Sequence, residues 1–259
     1  MTITSTLVDR AEIRFHEAPS ALRPFVGCFW LVTAERGASI HLVPDGSTAI
    51  SMQLRGGVPS GWVLRGPLVR PETRRYECDA TVIGIRMRPG VAFIVSGIAA
   101  HTIAGRDVSL MDLEQVEERC TPAQVIDALQ RFLLARLDGA EIHPVVATAI
   151  REIEREQGRL PVTEIAARCG ASPRHLNRLM RTWVGYGPKR FASIVRFQET
   201  LKQIDHAPGR PAATLASENG FFDQAHLTTE LTRFAGATPR RLASSSVAEF
   251  SKTRCDEHP

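Results

Sequence analysis

An internal repeat in the C-terminal half of the chain constrains its fold more than any other feature. The stretch "LPVTEIAARCGASPRHLNRLMRTWVGYGP" (160–188) aligns with "RPAATLASENGFFDQAHLTTELTRFAGATP" (210–239). The matching positions, 50 or 51 residues apart, are Pro161/Pro211, Ala166/Ala216, Gly170/Gly220, Leu176/Leu227, Gly185/Gly236 and Pro188/Pro239. A chain that repeats its small residues, glycines and prolines at a fixed spacing encodes the same supersecondary unit twice.

Each copy predicts a helix-turn-helix unit. It contains a short helix with a small residue at its centre, a turn with glycine, and a second helix with apolar residues at i and i+3. The small alanine lets the second helix cross closely over the first, and glycine accepts the backbone conformation of a tight turn. In DNA-binding proteins the second helix of such a unit enters the major groove.

The segment between the two copies, "KRFASIVRFQETLKQIDH", predicts a helix that fixes the relative position of the units. If both recognition helices lie on one face, they enter successive major grooves about 34 Å apart. A single subunit then reads a bipartite site on double-stranded DNA.

The distribution of charge supports a nucleic-acid partner. The net charge is +4, and residues 1–142 are nearly balanced, with 15 Lys and Arg against 16 Asp and Glu. From Arg159 to Arg241 the counts are 13 against 6, so this segment carries +7. A positive field concentrated on a small domain is typical of nucleic-acid binders, although many solvated protein faces are also basic.

Residues 1 to about 105 have the pattern of a β-rich domain. The runs "GCFWLVTAE", "SIHLVPDGSTAISMQL", "GWVLRGPLV" and "ATVIGIRMRPG" are apolar or alternating, and turn sequences separate them at the spacing of a sandwich or barrel. "GVAFIVSGIAA" then predicts a short helix. "TPAQVIDALQRFLLARLDG" predicts a longer helix with Thr121 as N-cap, whose apolar stripe fits either a core face or a dimer contact.

These patterns predict a two-domain α+β protein. A β-rich, half-barrel-like domain with accessory helices covers 1–142, an all-α DNA-binding domain with two helix-turn-helix units covers 143–242, and a polar tail covers 243–259. No apolar run approaches the ~18 residues of a membrane helix. The five cysteines show no CxxC and indicate free thiols in a reducing compartment. Without a signal peptide, a cytoplasmic protein is expected.

The repeat region carries a family resemblance. At "IAARCGASPRHLNRLMR", "GYGPKRF", "RFQETLKQI" and "NGFFDQAHLTTELTRFAGATPRRL", over about 100 residues, it resembles the DNA-binding domain of AraC/XylS-type bacterial transcription regulators. "VPDG" and "IGIRMRPG" resemble the β-rich domain of one branch of that family. The resemblance implies a cupin-like or half-barrel domain that senses a small-molecule effector or forms a homodimer. It also implies RNA polymerase as a partner.

In the first repeat, Ser172 is predicted to cap the recognition helix and leave backbone N–H groups near a phosphate. Arg bonds guanine and Asn bonds adenine as bidentate pairs, but arginines also contact phosphates without reading sequence. The positions that match the family's base-reading residues are Arg174, Asn177 and Arg178. The predicted DNA contacts as a whole are Ser172, Arg174, His175, Asn177, Arg178, Arg181, Lys189, Arg190, Asp223, Gln224, His226, Thr228, Thr229 and Arg240.

In the second repeat, the resemblance places DNA contacts at Gln224, Ala225, His226 and Thr229. The family usually carries Arg where this chain has Thr229, and threonine cannot make a bidentate guanine contact. The second unit is therefore expected to bind more weakly, or to read through Gln224 and thymine methyl groups. His226 has three possible roles: a base contact, a phosphate contact or a hydrogen bond at the helix start. Phe221 is expected to pack in the core between the two helices of the unit.

A basic pair follows each repeat at the same relative position. Lys189 and Arg190 follow the first, and Arg240 and Arg241 follow the second. Such pairs suit phosphate clamping at the edge of each groove, and they also fit an ordinary solvated helix start.

Candidate effector-binding residues in the N-terminal half are Trp30, His41, Met52, Trp62 and Arg86. A ligand pocket needs apolar walls and a few placed polar groups, and these residues supply both. Each of them also fits the core or the surface of a β-rich domain. The sequence "VPDG" around residue 45 is expected to form a turn.

Enzyme classes find little support in the sequence. The chain has no GxSxG, no HExxH, no phosphate-binding glycine loop and no Cys/His set with zinc spacing, so no catalytic residue, metal or cofactor is predicted. One alternative is a DNA-modifying or repair enzyme with Cys28 or Cys78 as an alkyl acceptor, which requires a lowered thiol pKa. Another is an architectural DNA binder without an effector.

Overall fold

The structure, a computed structural model, describes residues 3–8, 10–110, 117–207 and 209–238. Its strands are β1 (Ile3–Val8), β2 (Ala11–Glu17), β3 (Val26–Ala34), β4 (Ser39–Leu42), β5 (Thr48–Arg55), β6 (Val58–Arg65), β7 (Glu72–Arg75), β8 (Ala80–Met87) and β9 (Asp107–Ser109). Its α-helices are α1 (Val91–Ser96), α2 (Pro122–Leu137), α3 (Pro144–Arg155), α4 (Val162–Arg168), α5 (Pro173–Val184), α6 (Pro188–His206), α7 (Ala212–Glu218) and α8 (Gln224–Ala235). The predicted tail, 243–259, lies outside the described residues. None of the helices in the described ranges is long and apolar enough to cross a membrane.

Seven antiparallel strands form one sheet in the order β1-β2-β3-β8-β5-β6-β9, and β4 pairs with β7 in a separate two-stranded sheet. The hairpin between β5 and β6 turns at Gly56 and Gly57, whose φ angles are 57° and 85°. Two consecutive residues with positive φ are what a tight two-residue hairpin turn requires. This arrangement confirms the predicted β-rich N-terminal domain.

The two faces of the large sheet bury different side chains, because successive residues of a strand point to opposite sides. On β3, Phe29 packs in a core with α1 and α2, whereas Cys28 and Trp30 pack in a core with β4. Gly84 of the neighbouring β8 leaves room for the indole, since an added Cβ would lie 2.5 Å from Trp30 Cζ2. The sheet thus separates a helix-covered core from a second core beneath the small sheet.

Helix α2 begins at its predicted N-cap. The Gln124 N–H donates to Thr121 Oγ1 (3.4 Å), and the Thr121 N–H donates to Gln124 Oε1 (2.8 Å). This reciprocal pair satisfies two of the backbone donors that a helix start leaves open. The apolar stripe of α2, which includes Val125, Leu129 and Leu133, is buried in the core with the large sheet.

The sequence repeat folds as two helix-turn-helix units, α4–α5 and α7–α8, which confirms the prediction. In their turns, Gly170 and Gly220 have φ angles of 62° and 70°, a left-handed conformation that glycine adopts without steric cost. Ala166 and Ala216 are buried in the first helix of each unit. A larger side chain at either alanine would hold the two helices of the unit apart.

Helix α6 joins the two units and shares one hydrophobic cluster with both. The Phe197 ring of α6 contacts the Phe234 ring of α8, with centroids 5.2 Å apart. The buried Asn219, after α7, donates from Nδ2 to Gln203 Oε1 of α6 (2.8 Å). The same amide also donates to the Leu215 carbonyl within α7 (2.8 Å), so it ties the end of α7 to α6. A common core and a buried hydrogen bond therefore fix the two units relative to each other.

Candidate nucleic-acid interface and adjoining cavity

The first recognition helix, α5, buries one side and exposes the other. Ser172 is its N-cap, as predicted: Ser172 Oγ accepts a hydrogen bond from the His175 N–H (3.2 Å). The buried side consists of Leu176, Leu179, Met180 and Val184. The exposed side carries the predicted contacts Arg174, His175, Asn177, Arg178 and Arg181. The helix therefore presents a basic, hydrogen-bonding face to solvent.

An open cleft of about 570 Å³ runs along this face of α5. Within it, Arg178 Nη2 and His175 Nδ1 are 3.3 Å apart. The cleft is completed by His101, which belongs to the N-terminal domain and places its Nδ1 3.3 Å from the carbonyl oxygen of Arg181. The N-terminal domain thus reaches the edge of the first recognition helix. Nothing in the local sequence around His101 indicated this contact.

The second recognition helix, α8, is capped in the same way as α5. Asp223 Oδ1 accepts from the His226 N–H (2.7 Å), so Asp223 occupies the position equivalent to the N-cap serine of α5. His226 Nδ1 in turn accepts from the Phe222 N–H (3.2 Å), and its ring meets the buried Phe221 edge-on, with centroids 5.4 Å apart. Three roles were predicted for His226, and the structure shows one of them, the hydrogen bond at the helix start. The base contact and the phosphate contact remain predictions.

The exposed face of α8 offers different chemistry from that of α5. Thr228 Oγ1 donates to the Gln224 carbonyl and Thr229 Oγ1 to the Ala225 carbonyl, both at 2.9 Å. Hydroxyl groups that bond to their own helix leave the methyl groups for external contact. Gln224 is exposed in the first turn. This face therefore combines an amide with methyl groups, where α5 presents guanidinium groups.

The two members of the first basic pair have different surroundings. Lys189 is exposed. Arg190 donates from Nη2 to the carbonyl of Val69 in the N-terminal domain, and its guanidinium lies 5.8 Å from the centroid of the Tyr186 ring. The Arg190 side chain is thus engaged between the domains. Arg240 lies outside the described residues.

The loop after β4, residues 43–47, fastens the N-terminal domain to α6, and we call it the docking loop. Val43 is buried within the hydrophobic cluster of the C-terminal domain. Gly46 (φ 82°) packs against Phe191, since an added Cβ would lie 2.6 Å from Phe191 Cε2. Glycine is therefore required at position 46 for two reasons: its backbone is left-handed, and the Phe191 ring occupies the space of a side chain.

Hydrogen bonds strengthen this contact between the domains. Gln198 Nε2 of α6 donates to the Pro44 carbonyl (2.6 Å), and His41 Nε2 lies 3.0 Å from the carbonyl oxygen of Ala235, the last residue of α8. The Tyr186 hydroxyl donates to a carbonyl in the loop after β6. Burial raises the pKa of Tyr186, which keeps the phenol protonated as a donor.

A cavity of about 540 Å³ lies beneath the small sheet, on the side of the large sheet away from α1 and α2. Of the five candidate effector-binding residues, Trp30 and Arg86 line it. Met52 and Trp62 are buried on the opposite face of the large sheet, in the core with α1 and α2. His41 instead faces α8. Two of the five predicted effector-binding residues therefore line the cavity.

The cavity wall contains arginines paired with carboxylates. Arg86 Nη2 lies 2.9 Å from Asp45 Oδ2, and both side chains are 16% exposed. Arg65 Nε and Arg74 Nη2 contact the two oxygens of Asp107 at 3.3 Å and 3.0 Å. Burial, and next the charge of Arg74, lower the pKa of Arg65. Partly buried charges at the wall of a cavity are typical of ligand-recognition sites.

Sequence reasoning did not find Arg65, Arg74 or Asp107. Two of them belong to the short strands β7 and β9, whose sequences "ETRR" and "DVS" lack the apolar alternation of a strand. Residues of β7 alternate between half-buried and exposed positions. A polar sequence with this alternation also occurs in surface loops.

The cysteines of the alternative enzyme hypothesis both lie at this cavity. Cys28 is buried and Cys78 is half-buried, and both belong to the lining. Within the described ranges, no group of three or more His, Cys, Asp and Glu side chains is arranged to hold a metal ion.

Two family models match the sequence. Residues 14–109 match a domain of unknown function, and residues 165–245 match a helix-turn-helix domain that spans both units of the repeat. The C-terminal domain is an AraC-type helix-turn-helix domain. No curated protein matches the chain.

Solved structures resemble this chain at low identity. The C-terminal domain of AraT, a response regulator from Geobacillus stearothermophilus, is 18% identical, with a TM-score of 0.38 over 46% of this chain and 100% of that one. ToxT from Vibrio cholerae is 7% identical, with a TM-score of 0.46 over 83% of this chain and 97% of that one.

The docking loop can be tested with two glycines of similar backbone conformation. Gly46 packs against Phe191, whereas a Cβ on Gly56 (φ 57°) would meet no atom within 4 Å. Gly56→Ala is expected to cost about 1–2 kcal/mol, the strain of a left-handed alanine. Gly46→Ala adds a steric clash and should separate the AraC-type domain from the N-terminal domain. Calorimetry should then show two unfolding transitions for Gly46→Ala and one for Gly56→Ala; one transition in both variants would contradict this docking.

Proposed function

We propose that this protein is a sequence-specific DNA-binding transcription regulator whose N-terminal domain responds to a small-molecule effector. The observation that carries the DNA-binding part is the equivalence of α5 and α8, two capped recognition helices with exposed polar sides on one shared core. The charge of +7 between Arg159 and Arg241 supports it, because attraction to phosphates supplies a large share of DNA affinity.

In the first unit we assign base reading to Arg174, Asn177 and Arg178, which are exposed in the cleft along α5. Their guanidinium and amide groups match the major-groove edges of guanine and adenine. Arg181, in the last turn of the helix, and Lys189, at the start of α6, are assigned to phosphates. The first unit then supplies most of the discrimination between sequences.

In the second unit we assign a weaker reading role. Gln224 bonds adenine through its amide, and the methyl groups of Thr228 and Thr229 pack on thymine. The hydroxyl groups of both threonines are occupied within α8, which favours methyl contact over hydrogen bonding. Gln224 and these methyl groups distinguish fewer base pairs than the arginines of α5.

The cavity in the N-terminal domain is the proposed effector site. Its volume of about 540 Å³ and its mixture of apolar side chains and paired charges are those of a small-molecule site. Asp45 connects it to the DNA-binding domain, because its carboxylate pairs with Arg86 in the cavity wall while its backbone belongs to the docking loop. A ligand that changes this ion pair shifts the loop that contacts α6, and packed interiors transmit such shifts.

The proposal also covers the domain boundary, the cellular compartment and the partners of the protein. We place the domain boundary between residues 142 and 143, where His143 accepts a hydrogen bond from the Val145 N–H and begins α3. The DNA partner is a bipartite operator, and the protein acts in the cytoplasm. A homodimer and contact with RNA polymerase remain predictions from the family resemblance.

Selection of binding sites from a random duplex pool, with the full chain at about 150 mM salt, tests the function directly, since non-specific binding is weak at that ionic strength. We expect a bipartite motif with two elements about 10 base pairs apart. A single short element would mean that α8 contacts the backbone without reading bases. Recovery of no enriched sequence, with and without effector candidates, would overturn the proposal.

Two substitutions separate base reading from phosphate contact in the first unit. Arg178→Ala should weaken binding to the selected site by about 1–3 kcal/mol and relax specificity at one base position. Lys189→Ala should weaken binding evenly across sequences and lower the slope of log K against log salt by about one. Titrations on selected and random duplexes measure both effects. Equal losses on the two duplexes for Arg178→Ala would remove its base-reading role.

Because the second unit is expected to bind DNA weakly, a substitution in α8 can raise the affinity of the protein for DNA. Thr229→Arg should strengthen binding to a site with guanine in the second element, because it supplies the bidentate donor that the threonine lacks. Thr229→Lys is the matched control, since it adds the same charge without the planar fork. Competition titrations with guanine and adenine variants of that element distinguish the two. A similar gain for both substitutions on every sequence would show that position 229 faces a phosphate.

A further inference from the structure

Buried polar atoms without hydrogen-bond partners occur in the wall of the cavity. Thr48 Oγ1, Arg65 Nε and Arg74 Nε make no hydrogen bond, and all three residues line the cavity. The two Nε atoms lie 3.3 Å from Asp107 Oδ1 and 3.0 Å from Glu72 Oε1, without hydrogen-bond alignment. A buried donor without an aligned acceptor destabilises the folded protein. A ligand that draws these guanidinium groups toward its own oxygens offers the missing acceptors.

Arg65 and Arg74 bring two positive charges close together at this wall of the cavity. They share the two oxygens of Asp107, and the charge of Arg74 contributes, after burial, to the lowered pKa of Arg65. Arg74 also pairs with Glu72, so the formal charges at this wall balance while the repulsion between the guanidinium groups remains. A negative group placed between Arg65 and Arg74 would relieve that repulsion.

Part of the cavity wall is apolar. Phe15, Trp30 and Val32 of the large sheet and Ile40 and Leu42 of β4 belong to it. Burial of hydrocarbon against such a wall is favourable. Hydroxyl groups placed there would lose their hydrogen bonds to water without replacement.

We propose that the cavity binds an amphipathic anion, with a carboxylate or phosphate held by Arg65 and Arg74 and an apolar body against the aromatic and aliphatic walls. This inference rests on the proposed effector role of the cavity and adds the chemical class of the ligand. A cationic ligand is disfavoured because it would bring positive charge beside two guanidinium groups.

Matched probes test the head group and the apolar body separately. Isothermal titration of the full chain compares phenylbutyrate with phenylbutanol, phenylbutylamine and phenylbutyl phosphate, together with acids of shorter and longer alkyl chain. At least one acid or phosphate should bind tenfold or more tightly than its alcohol, and the amine more weakly than the alcohol. The tighter of the two anions identifies the head group. Equal binding of acid, phosphate and alcohol, preference for the amine, or no binding by any member of the series would overturn the proposal.

Variants at the cavity wall locate the head group. Arg65→Gln and Arg74→Gln should each reduce the preference for anion over alcohol by tenfold or more, while affinity for the alcohol stays within about twofold of that of the unmodified chain. Unchanged alcohol binding shows that the cavity is still folded. Arg106→Gln is the matched control, because Arg106 is exposed and is not part of the lining. Full anion preference in both cavity variants would overturn the assignment to Arg65 and Arg74.

The same titrations, repeated with the selected operator, separate this inference from the proposed function. Anion binding that leaves DNA affinity unchanged supports the ligand class and removes the effector role. Specific DNA binding without binding of any acid or phosphate keeps the regulator and overturns the ligand class.

Discussion

The packing of the docking loop, residues 43–47, joins the two halves of this molecule, and the rest of the structure depends on it. Val43 leaves β4 and enters the core of the C-terminal domain, while Asp45, two residues later, returns to Arg86 in the cavity wall. Gly46 allows this reversal because its backbone is left-handed and its missing side chain makes room for α6. The loop is thus part of a cavity wall and part of a helical core at once. Neither can rearrange without the other, since close-packed interiors leave few voids to absorb a displacement.

The repeat accounts for what the recognition helices α5 and α8 share, and its divergence accounts for how they differ. Ser172 and Asp223 cap equivalent helices because each side chain bonds the backbone three residues ahead. Beyond the caps the copies differ, with guanidinium groups on α5 and self-bonded threonines on α8. Arg190, which the repeat pairs with a basic residue after α8, contacts Val69 in the N-terminal domain. The first copy therefore uses this duplicated position for contact between the domains.

The sequence predicted those parts of the structure that depend on near neighbours. The caps of α2 and α5 and the turns of both repeat units follow from a few consecutive residues, and each was found where the pattern placed it. The cavity could not be predicted in this way. Met52 and Trp62 have the same apolar character as Trp30, and alternation along a strand does not say which face meets helices and which meets a cavity. Arg65 and Asp107 meet only through the pairing of β6 with β9.

Two histidines of the N-terminal domain contact the two recognition helices. His101 lies against the carbonyl of Arg181 near the end of α5, and His41 against the carbonyl of Ala235 at the end of α8. The N-terminal domain therefore touches each recognition helix at the end opposite its cap. The Arg181 carbonyl also accepts from the Gly185 N–H (3.1 Å), so His101 adds a second contact to a carbonyl that already has a partner. Because the common core fixes the two units relative to each other, a movement of the N-terminal domain acts on both recognition helices as one body.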